Sequence, residues 1–205
     1  MLAAGQSRRM GTCKQLLPLE GKTAIARCLG TLLRGGINEV VVVTGPQGDA
    51  VAEAARAYPV IVARTADLDG DMAASVRAGR DALPTGASGV VIALCDHPLV
   101  APETVALLAA RHGEQMGRII IPVHNGGKGH PTLFPRALLD ELKDTLTLRD
   151  LVRSNPDRLH LLEVDDPGVL LDMDTPEEYR RNVALCRARI LSESAPPGSF
   201  GVPSA

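Results

Sequence analysis

The chain has 205 residues, enough for one domain with a sizeable core, and its 45% apolar and 22% charged composition is that of a soluble globular protein. A formal net charge of −2 gives no basic field for nucleic acid or an anionic membrane surface, and two Tyr, two Phe and no Trp leave few platforms for stacking bases. The four scattered cysteines (Cys13, Cys28, Cys95, Cys186) form no CxxC pair, no apolar run reaches the roughly 18 residues of a membrane span, and no signal-peptide region opens the chain, so a cytoplasmic protein with reduced thiols is expected.

The start of the chain is the first informative element. Leu2-Ala3-Ala4-Gly5 ends a strand-like stretch, and Ser7, Arg9, Gly11 and Lys14 follow. Small residues let backbone N–H groups approach a phosphate, and the cations neutralise it. The spacing is neither GxxxxGK[ST] nor GxGxxG. A helix over about 23–33 stops at Gly35-Gly36. Glu39 to Thr44, Val60 to Ala63 and Gly89 to Cys95 read as buried strands, separated by helices over about 47–57 and 72–83. That alternation implies a parallel sheet covered on both faces. A helix opens at Pro102 and runs to Arg111, a strand spans 118–123, and Asn125 to Gly129 is a flexible turn. Helices over 135–143 and 147–153 precede a late strand over 159–164. Thr175 and Glu178 then have capping-box spacing at the head of a helix running to about Leu191. One domain over residues 1–191 and a loose tail over 192–205 are expected.

Three further segments carry chemistry. Asp96 follows a buried apolar strand directly, which puts a carboxylate at the edge where ligands bind in open α/β sheets; capping of the next turn is the plainer use. Asp172 and Asp174, if extended, point to one face, although the first turn of the following helix also favours acidic residues. Ser75 at a helix start and His130 on a glycine-rich loop are weak signals by themselves.

Taken in full, Leu2-Ala3-Ala4-Gly5-x-Ser7-x-Arg9-Met10-Gly11-x-x-Lys14-x-Leu16-Leu17 resembles the signature of MobA-like nucleotidyltransferases, and within them the molybdenum cofactor cytidylyltransferases. The resemblance spans about Leu2 to Tyr179. It implies a three-layer α/β/α fold with a mostly parallel, Rossmann-like sheet of the nucleotide-diphospho-sugar transferase type. It assigns Leu2, Ala3, Ala4, Gly5, Ser7, Arg9 and Lys14 to nucleotide binding, with Arg9, Lys14 and Asp96 in the catalytic step. Cys95-Asp96-His97-Pro98 is similar to the family's CDxP, whose Asp binds Mg²⁺, and leaves His97 as a loop residue. Asp172-Met173-Asp174-Thr175-Pro176 is similar to DxDTP and makes Asp174 the second metal ligand, with Asp172 in support. Gly70 to Ser75 is similar to GMxxS, with Asp71 interposed, and would give the nucleotide Gly70 and Ser75. Gly129-His130-Pro131-x-Leu133-Phe134 is similar to GHPxLF and puts His130 on the acceptor side.

The implied reaction is Mg²⁺-dependent transfer of a nucleoside monophosphate onto a phosphate acceptor such as the molybdenum cofactor, releasing pyrophosphate. Ala4, in the LAAG form, points to CTP as the donor. A molybdoenzyme or its chaperone is the implied partner. A related transferase for a sugar phosphate or isoprenoid-precursor phosphate, and a non-catalytic nucleotide-binding domain, are the alternatives. Family members carry more strand residues ahead of this motif, so either a stunted first strand or a misplaced translated start is expected here.

Overall fold

Runs of β-branched and aliphatic residues form the strands, and the amphipathic stretches between them return over the sheet faces. The computed structural model describes residues 1–66, 71–143 and 145–194. A two-residue strand, β1 (Leu2–Ala3), is followed by a long loop and a small antiparallel pair, β2 (Pro18–Leu19) and β3 (Lys22–Thr23). Then come α1 (Ala24–Arg34), β4 (Val41–Thr44), α2 (Asp49–Arg56), β5 (Ile61–Arg64), α3 (Met72–Ala82), β6 (Gly89–Ile92) and α4 (Pro102–Glu114). The second half contains β7 (Ile119–His124), β8 (Gly127–Lys128), β9 (Thr132–Pro135), α5 (Arg136–Asp140), α6 (Leu148–Ser154), β10 (Leu159–Glu163) and α7 (Pro176–Ser194).

β1 pairs in parallel with β4, and β4 with β5. On its other side the Leu2 N–H donates to the Ala93 carbonyl at 2.8 Å and the Cys95 N–H donates to the Leu2 carbonyl at 3.0 Å, which joins β1 to the chain continuing β6. β9 pairs antiparallel with both β6 and β7, and β7 pairs in parallel with β10. The order β5-β4-β1-β6-β9-β7-β10 is therefore parallel except at β9. From β1 the chain winds outward through β4 and β5, then returns to the other side of β1 at β6. The loops leaving β1 and β6 thus diverge at the topological switch point, where a crevice forms at the carboxyl ends of the strands.

Period-two alternation sends neighbouring side chains to opposite faces. Ile119 and Ile121 pack with Val76, Phe134, Leu138 and Leu151 under α3, α5 and α6, whereas Ile120 packs with Leu108 and Leu162 under α4. Ile25, Leu29, Val42, Val51 and Val105 join α1, α2 and α4 over the other half of the sheet. The result is the expected three-layer α/β/α fold with an aliphatic core. No helix among the described residues is long and apolar enough to cross a membrane.

Some elements differ from their sequence expectations. The segment read as a flexible turn forms the β7–β8 hairpin, with Asn125 and Gly126 at φ of 49° and 79°, and the residues after it form β9. Pro131 interrupts the alternation that would have announced a strand there. The helix opening near Pro135 ends at Asp140, and α7 continues to Ser194 rather than Leu191, so the first residues of the expected tail are helical. Residues 195–205 lie outside the described residues. The first strand is as short as expected, and the slot beneath it, between β4 and β6, opens into a cavity of about 520 Å³ lined by Val41, Val43, Val76, Val90 and His112.

Candidate active site

The loop leaving β1 is tied down by a side chain with no expected role. Gln15 is 2% exposed; its Nε2 donates to the Ala3 carbonyl at 3.1 Å and to the Gly5 carbonyl at 2.8 Å. Its Oε1 accepts from the Ser7 hydroxyl at 3.3 Å and the Cys13 thiol at 3.2 Å. The Ser7 hydroxyl in turn accepts from the Lys14 N–H at 3.1 Å. These bonds hold Ser7 at φ 51°, a left-handed conformation that an L-residue adopts only when its surroundings impose it. The loop and the turn Gly45–Gly48 after β4 enclose a cleft of about 520 Å³ reaching from Ala3 to Cys13. A Cβ on Gly45 would stand 3.2 Å from the Ala4 carbonyl, so the two walls approach closely because Gly45 has none.

At the mouth of the crevice four of the expected residues meet. The Lys14 ammonium donates to Asp96 Oδ2 at 2.7 Å and to Asp174 Oδ1 at 2.5 Å, joining residues 82 and 160 positions apart. Arg9 pairs with the other oxygen of Asp174. Burial alone pushes the Lys14 ammonium down, but the two carboxylates outweigh it and hold the group above the ordinary lysine value. The hydrogen bond from Lys14, with its charge and that of Arg9, keeps Asp174 below the usual carboxylate range. Asp172, half-buried and beside Glu178, Asp174 and Asp96, is pushed up by its burial first and by those like charges second. Asp174 is positioned by the head of α7: its N–H and that of Thr175 both donate to Glu178 Oε2 at 2.8 Å, while the Glu178 N–H donates to the Thr175 hydroxyl at 3.3 Å. This is the capping box expected from the sequence.

Asp96 Oδ1 is buried and has no hydrogen-bond partner among the described residues. An unsatisfied carboxylate oxygen beside a second carboxylate suits a hard divalent cation, which binds through one or two carboxylates plus substrate phosphates and water. Among the described residues no three His, Cys, Asp or Glu side chains are grouped to hold a metal unaided. An ion here would draw its other ligands from substrate and water.

His130 sits beside this centre, its ring 5.3 Å from that of His97. Burial first, and the neighbouring His97 second, lower its pKa from 6.5 to about 4. A neutral imidazole favoured by the fold makes stability complete above pH 6.5 and progressively lost as pH falls from 6.5 towards 4. The expected loss totals about 3 kcal/mol. Urea unfolding midpoints between pH 7 and 4.5 measure it, and His130→Asn should flatten the profile; an unchanged slope in that variant would place the acid sensitivity elsewhere.

Ser75 stands apart from the Lys14 network: it is 4% exposed in the first turn of α3 and absent from the cleft walls. The interposed Asp71 caps that helix, accepting from the Ala73 and Ala74 N–H groups at 3.0 and 3.1 Å. Gly70 lies outside the described residues. Sequence pattern gives Gln15 no site role and leaves His97 as a loop residue. A Gln in an apolar stretch carries no signal until its carbonyl partners are known.

The profile of the MobA-like NTP transferase domain matches residues 1–159. The nicotine blue oxidoreductase of Paenarthrobacter nicotinovorans is 30% identical over 193 residues, covering 88% of this chain and 93% of that protein. The purine catabolism protein PucB of Bacillus subtilis is 32% identical across 87% of this chain and 91% of its own, and the molybdenum cofactor cytidylyltransferase of Escherichia coli is 25% identical across 86% and 90%. Among solved structures, Rv0371c of Mycobacterium tuberculosis aligns with a TM-score of 0.75 at 32% identity over 89% of this chain and 95% of that one. A complex of Rv0371c with manganese aligns with a TM-score of 0.68 at 27% identity, covering 89% and 95%.

Proposed function

We infer the finer activity from one premise: the chain belongs to the MobA-like NTP transferase family and is a nucleotidyltransferase. In our reading it is a cytoplasmic, Mg²⁺-dependent enzyme that moves CMP from CTP onto a small phosphate-bearing acceptor, with the molybdenum cofactor as the favoured acceptor. The observation that carries this reading is the Lys14 ammonium held between Asp96 and Asp174 at the sheet's switch point. The site is built to balance positive and negative charge where a triphosphate and its counter-ion meet.

The triphosphate lies along the glycine loop, where the backbone around Gly5 and Ser7 holds its oxygens and the nucleoside enters the cleft between Ala4 and Gly48. Leu2, Ala3 and Ala4 carry this loop out of β1. Asp96 and Asp174 would hold Mg²⁺, which would supply charge neutralisation and orientation of the phosphates. Arg9 and Lys14 stabilise charge developing on the α-phosphate and the pyrophosphate. An acceptor phosphate oxygen attacks the α-phosphorus in line; the new P–O bond forms as the bond to the bridging oxygen breaks, and pyrophosphate leaves with that electron pair. An ionised phosphate nucleophile has no proton to lose, so this chain needs no strong general base. The resemblance to cytidylyl transfer through Ala4 supports CTP, and the cytidylyltransferase relative supports the acceptor. A molybdoenzyme or its chaperone would receive the product.

Pyrophosphate release tests the reading. With Mg²⁺, CTP and molybdopterin-bound molybdenum, release is expected well above that with ATP, GTP or UTP; release with a sugar phosphate in place of that acceptor would overturn it.

A further inference from the structure

Three of the buried polar atoms that lack a partner among the described residues fall in one place: Asp96 Oδ1, His97 Nδ1 and His130 Nδ1. The two rings lie 5.3 Å apart at 57°, and His97 Nε2 is 4.0 Å from Asp96 Oδ1, too far for a hydrogen bond. Buried polar atoms are costly unless something completes them, and a single unsatisfied atom has many explanations. A divalent cation would account for the carboxylate oxygen; the two unsatisfied ring nitrogens beside it, at the mouth of a reaction crevice, point to a second ligand.

Hydrogen bonds fix the backbone from which both rings project. The His97 N–H donates to the Leu94 carbonyl at 3.3 Å, directly after the bridge between β1 and the β6 extension. The Gly129 N–H donates to the Pro122 carbonyl at 2.8 Å and the His130 N–H to the Val169 carbonyl at 2.9 Å. A side chain at Gly129 would collide with Val169, so the His130 loop is pressed against the turn at Pro167–Leu170. The two oxygens of Asp96 face different groups: Oδ2 meets Lys14, and Oδ1 lies towards His97. The nucleotide cleft is lined by neither imidazole. The carboxylate therefore stands between a nucleotide side and an imidazole side.

We propose that His97 and His130 together seat a phosphate monoester of the acceptor, each imidazole donating a ring N–H to a different phosphate oxygen. This rests on the nucleotidyl-transfer reading and adds to it one residue, His97, which would share with His130 the seating of the acceptor phosphate. A monoester has three terminal oxygens that only accept: two take the imidazole donors, and the third stays free to attack the α-phosphorus. A hydroxyl acceptor offers one oxygen, which cannot satisfy both rings and also attack.

The test uses the full chain saturated with Mg²⁺ and the α,β-methylene analogue of CTP, with phenyl phosphate as the acceptor probe. Long-range ¹H–¹⁵N spectra read the ring nitrogens directly. The Nδ1 signals of His97 and His130 should move together along one phenyl phosphate isotherm and stay put with phenol. His97→Phe should weaken phenyl phosphate binding by about tenfold or more, the worth of a hydrogen bond to a charged group. His97→Asn, whose amide can present an N–H near the same position, should recover most of that loss, which a merely space-filling role would not produce. Unmoved imidazole signals while the CTP analogue binds would overturn the seat and leave nucleotidyl transfer standing. Movement with phenol would overturn the phosphate class. Signals that move with phenyl phosphate in a protein that does not bind the analogue would keep the seat and overturn nucleotidyl transfer.

Discussion

Asp96→Asn is expected to lower kcat for nucleotidyl transfer by about a thousandfold or more, some 4 kcal/mol of lost transition-state stabilisation. The substitution keeps the shape of the side chain, and the amide carbonyl can still accept from Lys14, so the ammonium keeps a partner here besides Asp174. What disappears is one negative charge and the carboxylate oxygen, Oδ1, that no described residue satisfies. The fold should notice little: circular dichroism should be unchanged and Tm should move by only a few degrees, because Asp96 is partly exposed at a loop and not packed in the core. Loss of activity with an intact fold, accompanied by a higher Mg²⁺ concentration for half-maximal rate, is the expected pair of results. A rate near that of the wild type would remove Asp96 from the metal site and with it the central role given to the crevice. Asp174 provides the contrast. It is gripped by both Lys14 and Arg9, so its replacement disturbs cations that Asp96 alone does not hold.

The parts of this site legible in the sequence are those whose signal is local. The strands β4 and β7 are β-branched runs, and such runs read as strands buried on both faces. Asp96 is legible because it follows β6 at the carboxyl edge, and Asp174 because the Thr175–Glu178 box fixes where α7 begins. β9 was not legible. It is four residues long, follows a proline, and exists as a strand only because β6 and β7 supply antiparallel partners on both sides. Gln15 was hidden for a related reason: its partners are backbone carbonyls, which look the same at every position of a sequence. His97 followed from neither pattern nor spacing, because its standing depends on the ring of His130 arriving from 33 residues further along the chain.

Lys14→Met should produce the second large effect, and it separates two uses of one ammonium. The methionine keeps most of the aliphatic stem in a site where the Lys14 side chain is 10% exposed, but leaves Asp96 and Asp174 facing each other without their shared counter-ion. Breaking a fully buried pair costs about 3–5 kcal/mol and an exposed one about 0–1. With carboxylate exposures of 21% and 29%, this case falls between, and a loss of about 1–3 kcal/mol at pH 7 is expected. The pH dependence identifies the cause. In the wild type Lys14 holds the Asp174 carboxyl low, so that contribution is fully present above the usual carboxylate pKa and is lost as pH falls through the depressed one. Lys14→Met should lack this contribution, and its urea midpoint should fall less than that of the wild type between pH 5 and 3. Millimolar Mg²⁺ should recover stability in the variant more than in the wild type, because the ion then replaces the missing charge between the two carboxylates. It should not recover the rate, which is expected to fall by about 10²–10³-fold with the charge that steadies the departing pyrophosphate. Stability regained without activity is the signature of an ammonium that both balances the resting site and serves the transition state. A variant of unchanged stability and rate would reduce Lys14 to an ordinary surface cation.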